Sequence, residues 1–182
     1  MEQIFKETAK KIDIQKYQSK EYILSHVRPV LSSACNIPVF QKEKILYVQY
    51  LDMAVVFDLV LTENGEETSA MKIKKWNMDH ASEKLTMEEL LVAAQEYLNQ
   101  NYEIQSVYDI LSEYDNEGET TNIDDVFSYV ITTKNHIKGA SAILSPIALK
   151  EVTEVMGTEK VFLMPTSIHE MMMVPSKGMN VD

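Results

Sequence analysis

Residues 45–61 form a long run of β-branched, aromatic and aliphatic side chains with few breakers. Such side chains favour strands, and the run is longer than an ordinary strand of about five or six residues. It therefore predicts two strands with a bend near residues 51–52. A turn at residues 64–65 would then return the chain as a hairpin partner over 70–74. The hairpin predicts an antiparallel sheet, and Trp76 directly after it is expected to anchor the core.

Two helices are predicted at the N-terminus. Residues 2–18 place apolar side chains at helical spacing, with lysines on the other side. Ser19 can cap a second helix over residues 20–34, although Pro29 is awkward inside it because proline removes a backbone donor. We therefore expect residues 1–35 to form a helical extension.

Capping residues predict further helices. Thr86 and Glu89 have the spacing of a capping box, which opens a helix that should stop near residue 99. A shorter helix is expected after Ser106, and Pro146 should start another that Gly157 ends. The inward face of the first of these helices is predicted to carry Leu90, Leu91, Ala94 and Leu98.

Segments toward the end of the chain are rich in strand-forming residues: 126–133, 140–144, 161–164 and 171–174. Alternation along the last of them directs at least one methionine of residues 171–173 into the core. We expect one α+β domain over residues 1–182, in which a mainly antiparallel sheet combines the 45–74 hairpin with these strands. The helices at 86–99 and 146–156 are expected to cover that sheet.

Negative charge is concentrated in the middle of the chain. Between Glu83 and Asp125 there are twelve acidic residues and one lysine, so this stretch alone accounts for the net charge of −11. Direct nucleic-acid binding needs a cationic surface and is not expected. A basic protein partner would be attracted, although a solvated helix face and loop is the ordinary fate of such a run. The carboxylates predicted to bind the partner are Glu88, Glu89, Glu96, Glu113, Asp115, Glu117, Glu119, Asp124 and Asp125.

Several features predict a cytoplasmic location. The single cysteine, Cys35, cannot form an internal disulfide, which fits a reducing compartment. We expect it to be a small buried apolar residue. The longest purely apolar run, residues 53–57, is far shorter than the ~20 residues that span a bilayer. The first residues have neither the basic start nor the apolar stretch of an export signal.

Residues 165–170 place polar side chains between two apolar strands. Polar residues there serve a turn, a cap or a site, and the candidates are Pro165, Ser167, His169 and Glu170. Serine, histidine and glutamate are the residue types of a hydrolytic triad, but here they are crowded together and lack a nucleophile elbow. The simpler interpretation is that Ser167 caps a turn while His169 and Glu170 bond to backbone. A contact to a ligand or partner is the third interpretation.

Other catalytic patterns are incomplete. His80 and Glu83 could share a metal, but zinc sites need at least three protein ligands. A nuclease using Asp52 or Asp58 lacks the acidic residue expected on the second strand, residues 71–75. The five glycines are isolated, so neither common phosphate-binding loop occurs. We therefore expect no catalytic residue, no metal and no cofactor.

Several strings resemble a family of uncharacterised proteins from gut Firmicutes and their mobile elements, a domain of unknown function. Leu-Met-Pro-Thr-Ser-Ile-His-Glu at 163–170 is similar to its Leu-Pro-Ser-Ser-Ile-His-Glu pattern. Thr-Thr-Lys-Asn at 132–135 and Gly-Ala-Ser at 139–141 resemble its Leu-Thr-Asn and Gly-Ala block. The strand at 51–57 and the helix start at 86–90 are similar as well.

This resemblance is closest over residues 126–175, looser over 50–112, and does not extend to the first 45 residues. Asn-Gln-Asn at 99–101 replaces the Asn-Thr-Pro that ends the family's central helix. The resemblance implies a fold and a mobile-element setting, and it implies no activity.

These observations predict a non-catalytic, acidic interaction protein. Its specific form would be a phage or mobile-element inhibitor, anti-CRISPR or anti-restriction, of a nucleic-acid-binding host protein such as a nuclease. One alternative is a small hydrolase using Ser167 and His169. Another is a scaffold that acts by oligomerisation, and the oligomeric state stays open.

Overall fold

The computed structural model describes residues 14–64, 67–114 and 128–176. The helices in this part of the chain are α1 (Ile14–Gln18), α2 (Lys20–His26), α3 (Ile37–Glu43), α4 (Lys75–Asp79), α5 (Met87–Gln100), α6 (Val107–Tyr114) and α7 (Pro146–Met156). Two short 3₁₀ helices span Ala34–Asn36 and Gly139–Leu144. The strands are β1 (Val27–Ser33), β2 (Tyr47–Tyr50), β3 (Met53–Asn64), β4 (Glu67–Lys72), β5 (Tyr102–Ser106), β6 (Tyr129–Thr133), β7 (Val161–Pro165) and β8 (Met171–Pro175).

The first sheet is built around β3. Strand β1 pairs antiparallel with one side of β3, while β2 and β4 pair with the other side, β2 near its start and β4 near its end. The predicted bend is confirmed, because residue Leu51 turns the chain between β2 and β3 with a φ of 54°. The predicted hairpin is also confirmed, with β4 as the returning strand.

Strand β3 is buried on both faces, which explains its continuous apolar run. Val55, Phe57 and Leu59 belong to the main core. Ala54 and Val56 point to the opposite face, where they pack in a smaller cluster with residues from β1 and α3. Strand β3 therefore separates two apolar regions.

The second sheet has the antiparallel order β5-β6-β8-β7. The methionine run lies on β8, where Met171 and Met173 are buried in the core, as the alternation predicts. The main core also contains Ile131 of β6 and buried side chains of α5 and α7. One apolar core thus joins both sheets to these helices.

The α+β class is confirmed, and the structure corrects some details of the prediction. The strands form two sheets instead of one, and β5 was not predicted. Residues 1–13 lie outside the described residues. In the described part of the predicted extension, α1, α2 and the start of the 3₁₀ helix at Ala34 are helical. From Val27 onward the predicted helix is wrong, because the chain continues as β1. Pro29 fits there because β1 is an edge strand, where a missing backbone donor is tolerated.

Three smaller predictions are also wrong. Residues 140–144 form a 3₁₀ helix instead of a strand, and small side chains let this helix pack closely against β6. Trp76 is 48% exposed and stacks on His80 instead of anchoring the core. Cys35 is exposed on the short 3₁₀ helix after β1.

Among the described helices, none is long and apolar enough to cross a membrane.

Candidate functional site

An open groove of about 700 Å³ runs between α2 and α5. Helix α2 contributes Glu21 and Leu24, and α5 contributes carboxylates and small apolar side chains along the facing side. The acidic lining residues are Glu21, Glu88, Glu89 and Glu96. The apolar lining residues are Leu24, Val92 and Ala93, with Tyr97 beside them. The groove therefore combines an apolar floor with four carboxylates.

Local hydrogen bonds fix the start of α5 against α2. The predicted capping box is confirmed: the Thr86 hydroxyl accepts from the Glu89 amide at 3.2 Å, and the Glu89 carboxylate accepts from the Thr86 amide at 2.9 Å. The second oxygen of Glu89 binds the Lys20 ammonium of α2 at 2.6 Å. The hydrogen bond from Lys20, followed by that from the Thr86 amide, lowers the pKa of Glu89. Glu89 therefore acts as a structural link between the two helices.

The other groove carboxylates are not neutralised in this way. Within the part of the chain that the structure describes, no lysine, arginine or histidine forms an ion pair with Glu21, Glu88 or Glu96. Glu88, Val92 and Glu96 follow one another at a spacing of four residues, so they share one face of α5. This face presents a carboxylate, an exposed valine and a second carboxylate in line.

An apolar groove of about 440 Å³ lies beside the same helix. Leu91 and Val92 of α5 border it and are exposed. Further lining residues come from β1, β2, β3 and the segment around Pro146. Leu91 was predicted to lie inward, and it is instead 38% exposed at this border, while Leu90, Ala94 and Leu98 are buried as predicted. Helix α5 therefore separates an acidic groove from an apolar one.

The structure brings together three of the nine predicted acidic residues. Glu88, Glu89 and Glu96 line one groove, as the spacing along α5 allows. Glu113 belongs to α6. The other five predicted carboxylates lie outside the described residues: Asp115, Glu117, Glu119, Asp124 and Asp125. Sequence reasoning missed Glu21, because it lies in a mildly basic segment and meets α5 only through tertiary packing.

The polar hinge at residues 165–170 forms a closed turn between β7 and β8. The Ser167 hydroxyl accepts from the backbone amide of His169 at 2.9 Å, and the Thr166 hydroxyl donates to the carbonyl of Glu170 at 3.1 Å. Pro165 is the last residue of β7. Neither Ser167 nor His169 lines the two grooves beside α5 or the small cavity against β1 and β3. These contacts are those of a turn and give the hydrolase hypothesis no support.

The His169 ring contacts the loop that follows β6. Its Nδ1 lies 3.1 Å from the amide nitrogen of Lys138 and 3.1 Å from the carbonyl oxygen of His136. The Thr132 hydroxyl donates to the carbonyl of His169 at 2.7 Å. The strings at 132–141 and 163–170, far apart in sequence, therefore form one packed unit.

A buried ionic cluster includes Lys138 of this unit. Asp58 on β3 is 3% exposed. Its Oδ1 lies 2.6 Å from Nζ of Lys72, and its Oδ2 lies 2.5 Å from Nζ of Lys138. Sequence reasoning considered Asp58 only for a nuclease. The available signal was that Asp58 is the only charged residue within the apolar run 53–61, because a buried charge must be paired.

The described residues contain no group of three or more His, Cys, Asp and Glu side chains arranged to hold a metal ion. The ring of His80 stacks on Trp76, and its Nδ1 contacts the Trp76 carbonyl oxygen at 2.9 Å. The suggested pair of His80 and Glu83 therefore finds no third ligand among these residues.

Two antiparallel sheets that share one core with helices define an α+β protein. The acidic groove lies between two of these helices, α2 and α5. The chain belongs to DUF5688, a family of unknown function whose model matches residues 2–182. A comparison with curated proteins found no match. A comparison with solved structures found none either.

Proposed function

We propose that the protein is a non-catalytic interaction protein that binds a basic partner in the groove between α2 and α5. The observation that most supports this proposal is that one groove combines an apolar floor with carboxylates that have no cationic partner among the described residues. Charged groups steer a partner and set its orientation, whereas burial of the apolar floor supplies affinity. A solvated helix face would need no such floor.

The spacing of the carboxylates limits the shape of the partner. Glu88 and Glu96 are separated along α5 by about 12 Å, since an α-helix rises about 1.5 Å per residue. That distance exceeds the Debye length of about 8 Å at physiological salt, so their mutual repulsion is small. Two lysines or arginines about two helical turns apart on a partner helix would match both carboxylates. An apolar residue between those cations would face Val92.

The finer form of the proposal concerns the identity of the partner. A protein whose own ligand is nucleic acid carries such cations, and carboxylates can occupy the positions of phosphates in its groove. The resemblance to proteins of mobile elements favours a host nuclease of a CRISPR or restriction system as the target, in the cytoplasm. The protein would then act as an inhibitor of that nuclease.

The test is charge reversal on the groove. The tagged protein is used to capture partners from a lysate of the source organism, and the double variant Glu88→Lys/Glu96→Lys is compared with the wild type. We expect capture of a basic protein that double-stranded DNA displaces and added salt weakens. The variant should lower the affinity about tenfold or more, since each 1.4 kcal/mol corresponds to a factor of ten.

A matched control separates the groove from net charge. Glu154→Lys/Glu159→Lys makes the same change in charge at exposed positions distant in sequence from α5. This control should retain the captured partner. Equal capture by the wild type and the groove variant, or equal loss with both variants, would contradict the proposal.

A further inference from the structure

A third cavity, distinct in charge from the acidic groove, lies against β1 and β3. Its volume is about 80 Å³. The polar and aromatic residues that line it are Arg28, Asp58, Tyr97, Thr133, Asn135, Lys138 and Ser141. They come from three strands (β1, β3 and β6), from α5 and from the segment that follows β6, so only the tertiary fold brings them together.

The cluster around this cavity has an excess of positive charge. Arg28 lies directly opposite Asp58 in the pairing of β1 with β3, and Lys72 lies opposite Asp58 on β4. Directly opposite residues of antiparallel strands project from the same face. With Lys138, three cations therefore surround one carboxylate. Each oxygen of Asp58 is paired with one of the two lysines. Arg28 is not part of these ion pairs.

Contacts hold the guanidinium of Arg28 in position. It stacks on the ring of Tyr97 at 3.9 Å, and its Nη1 donates to the carbonyls of Ser25 and Val27 at 3.2 Å and 2.9 Å. A guanidinium has five N–H donors in a rigid fork. None of the contacts among the described residues involves Nε or Nη2 of Arg28. These donors are therefore available to an acceptor in the cavity.

We propose that this cavity binds one small oxyanion group, a phosphate or a carboxylate, between Arg28 and Lys138. Fixed guanidinium and ammonium groups bind oxyanions through short charge-assisted hydrogen bonds. A cavity of about 80 Å³ has room for a single oxyanion group. Asp58, neutralised by two lysines, holds Lys138 in place for this role.

The test is calorimetric titration of the wild-type protein with inorganic phosphate and with sodium acetate, each against sodium chloride of equal ionic strength. We expect saturable binding of at least one of the two oxyanions. Preference for phosphate would identify a phosphate group as the ligand, and preference for acetate would identify a carboxylate. Heats that match the chloride control in both titrations would overturn the proposal.

Variants locate the binding. Arg28→Gln should weaken the preferred anion at least tenfold, and Arg28→Lys should weaken it less because it keeps the charge and loses the fork. Lys150→Met removes an exposed lysine on α7 and should leave binding unchanged. Equal affinity in the wild type and a folded Arg28→Gln variant would place the anion elsewhere and overturn the assignment. Tyr97 borders both cavities, but their charged residues are different, so failure here leaves the proposal for the acidic groove standing.

Discussion

At the scale of single residues, Asp58 lies on β3 beside Phe57 and Leu59, where an unpaired carboxylate would cost several kcal/mol. Lys72 and Lys138 neutralise it, and their side chains are 33% and 37% exposed. Because these ammonium groups reach water, they avoid most of the desolvation cost that a fully buried pair would incur. The carboxylate thereby connects β3, β4 and the loop after β6 at one point.

Replacing this carboxylate should destabilise the fold. We expect Asp58→Asn to lower the free energy of unfolding by about 1–3 kcal/mol, less than the ~3–5 kcal/mol of a fully buried pair because the lysines can turn to solvent. Urea denaturation at neutral pH measures the difference. Glu43→Gln is the control, because its pair with Lys74 is exposed and should contribute less than about 0.5 kcal/mol. Equal losses in the two variants would contradict this view of Asp58.

Gly139 provides a second test at the same scale. A Cβ there would overlap the Thr132 hydroxyl and lie 2.5 Å from the Thr133 amide and 2.6 Å from the His169 carbonyl. Gly139→Ala should therefore cost about 2–3 kcal/mol through overpacking. Gly157 has a φ of +61° and open space around it, so Gly157→Ala should cost about 1 kcal/mol through backbone strain. Thermal or chemical denaturation gives the order, and a larger loss at Gly157 would be the contrary result.

At the scale of secondary structure, α5 begins where three interactions meet on Glu89. The carboxylate closes the capping box with Thr86 and binds Lys20 of α2. The first turn of a helix also favours negative charge because of the helix dipole. The same element that presents Glu88 and Glu96 is therefore held by its neighbour, and the groove has a fixed width at this end.

This arrangement predicts a pH dependence of stability. The pKa of Glu89 is lower in the folded protein than its usual value, so its contribution is fully present above the usual value of about 4.5 and is lost as the pH falls through the folded pKa. The wild type should be more stable than Glu89→Gln near neutral pH, and the difference should shrink below pH ~4. Urea denaturation across this range measures it, and a difference independent of pH would refute the assignment.

The cap itself is tested separately. Thr86→Ala removes the side-chain acceptor for the Glu89 amide and should cost about 1 kcal/mol at neutral pH. Ser112→Ala on α6 is the control, because this exposed hydroxyl donates only to a carbonyl of its own helix. Circular dichroism during urea denaturation compares the two variants, and equal stability of Thr86→Ala and the wild type would contradict the role of the cap.

At the scale of the whole molecule, the two sheets share one core. Leu59 of the first sheet and Met173 of the second are both fully buried in it. Side chains of α5 and α7 lie in the same cluster. A core of this kind makes the sheets depend on one another, because a cavity in either one removes contacts from the common packing.

Joint unfolding can be followed with Trp76, the only tryptophan of the chain, next to the first sheet. Met173→Ala and Leu59→Ala should each cost about 2–5 kcal/mol. Each should shift the unfolding midpoint of the Trp76 fluorescence together with that of the circular dichroism signal. If Met173→Ala left the fluorescence midpoint unchanged, the sheets would unfold independently.

Much of the local structure could be predicted from the residues. The bend at residues 51–52, the capping box of Thr86 and the C-cap at Gly157 all depend on interactions within a few residues, so their signals lie close together in the chain. Three of the predicted acidic residues, Glu88, Glu89 and Glu96, line one groove because they lie on one helix. Helical spacing places Glu88 and Glu96 on the same face. Burial of Met171 and Met173 followed from the alternation of a strand.

The secondary structure of residues 27–33 and 140–144 depended on packing partners that are distant in the sequence. Val27 and its neighbours are a strand because they pair with β3. The 3₁₀ helix begins at Gly139, which lies too close to Thr132 and Thr133 of β6 for a larger residue. The sequence by itself determined the α+β class, the helix caps and the surplus of carboxylates. Tertiary structure alone decided that Glu21 faces Glu88 and Glu96 and that Lys138 reaches Asp58, since ion pairs and grooves depend on distances between segments that no local pattern encodes.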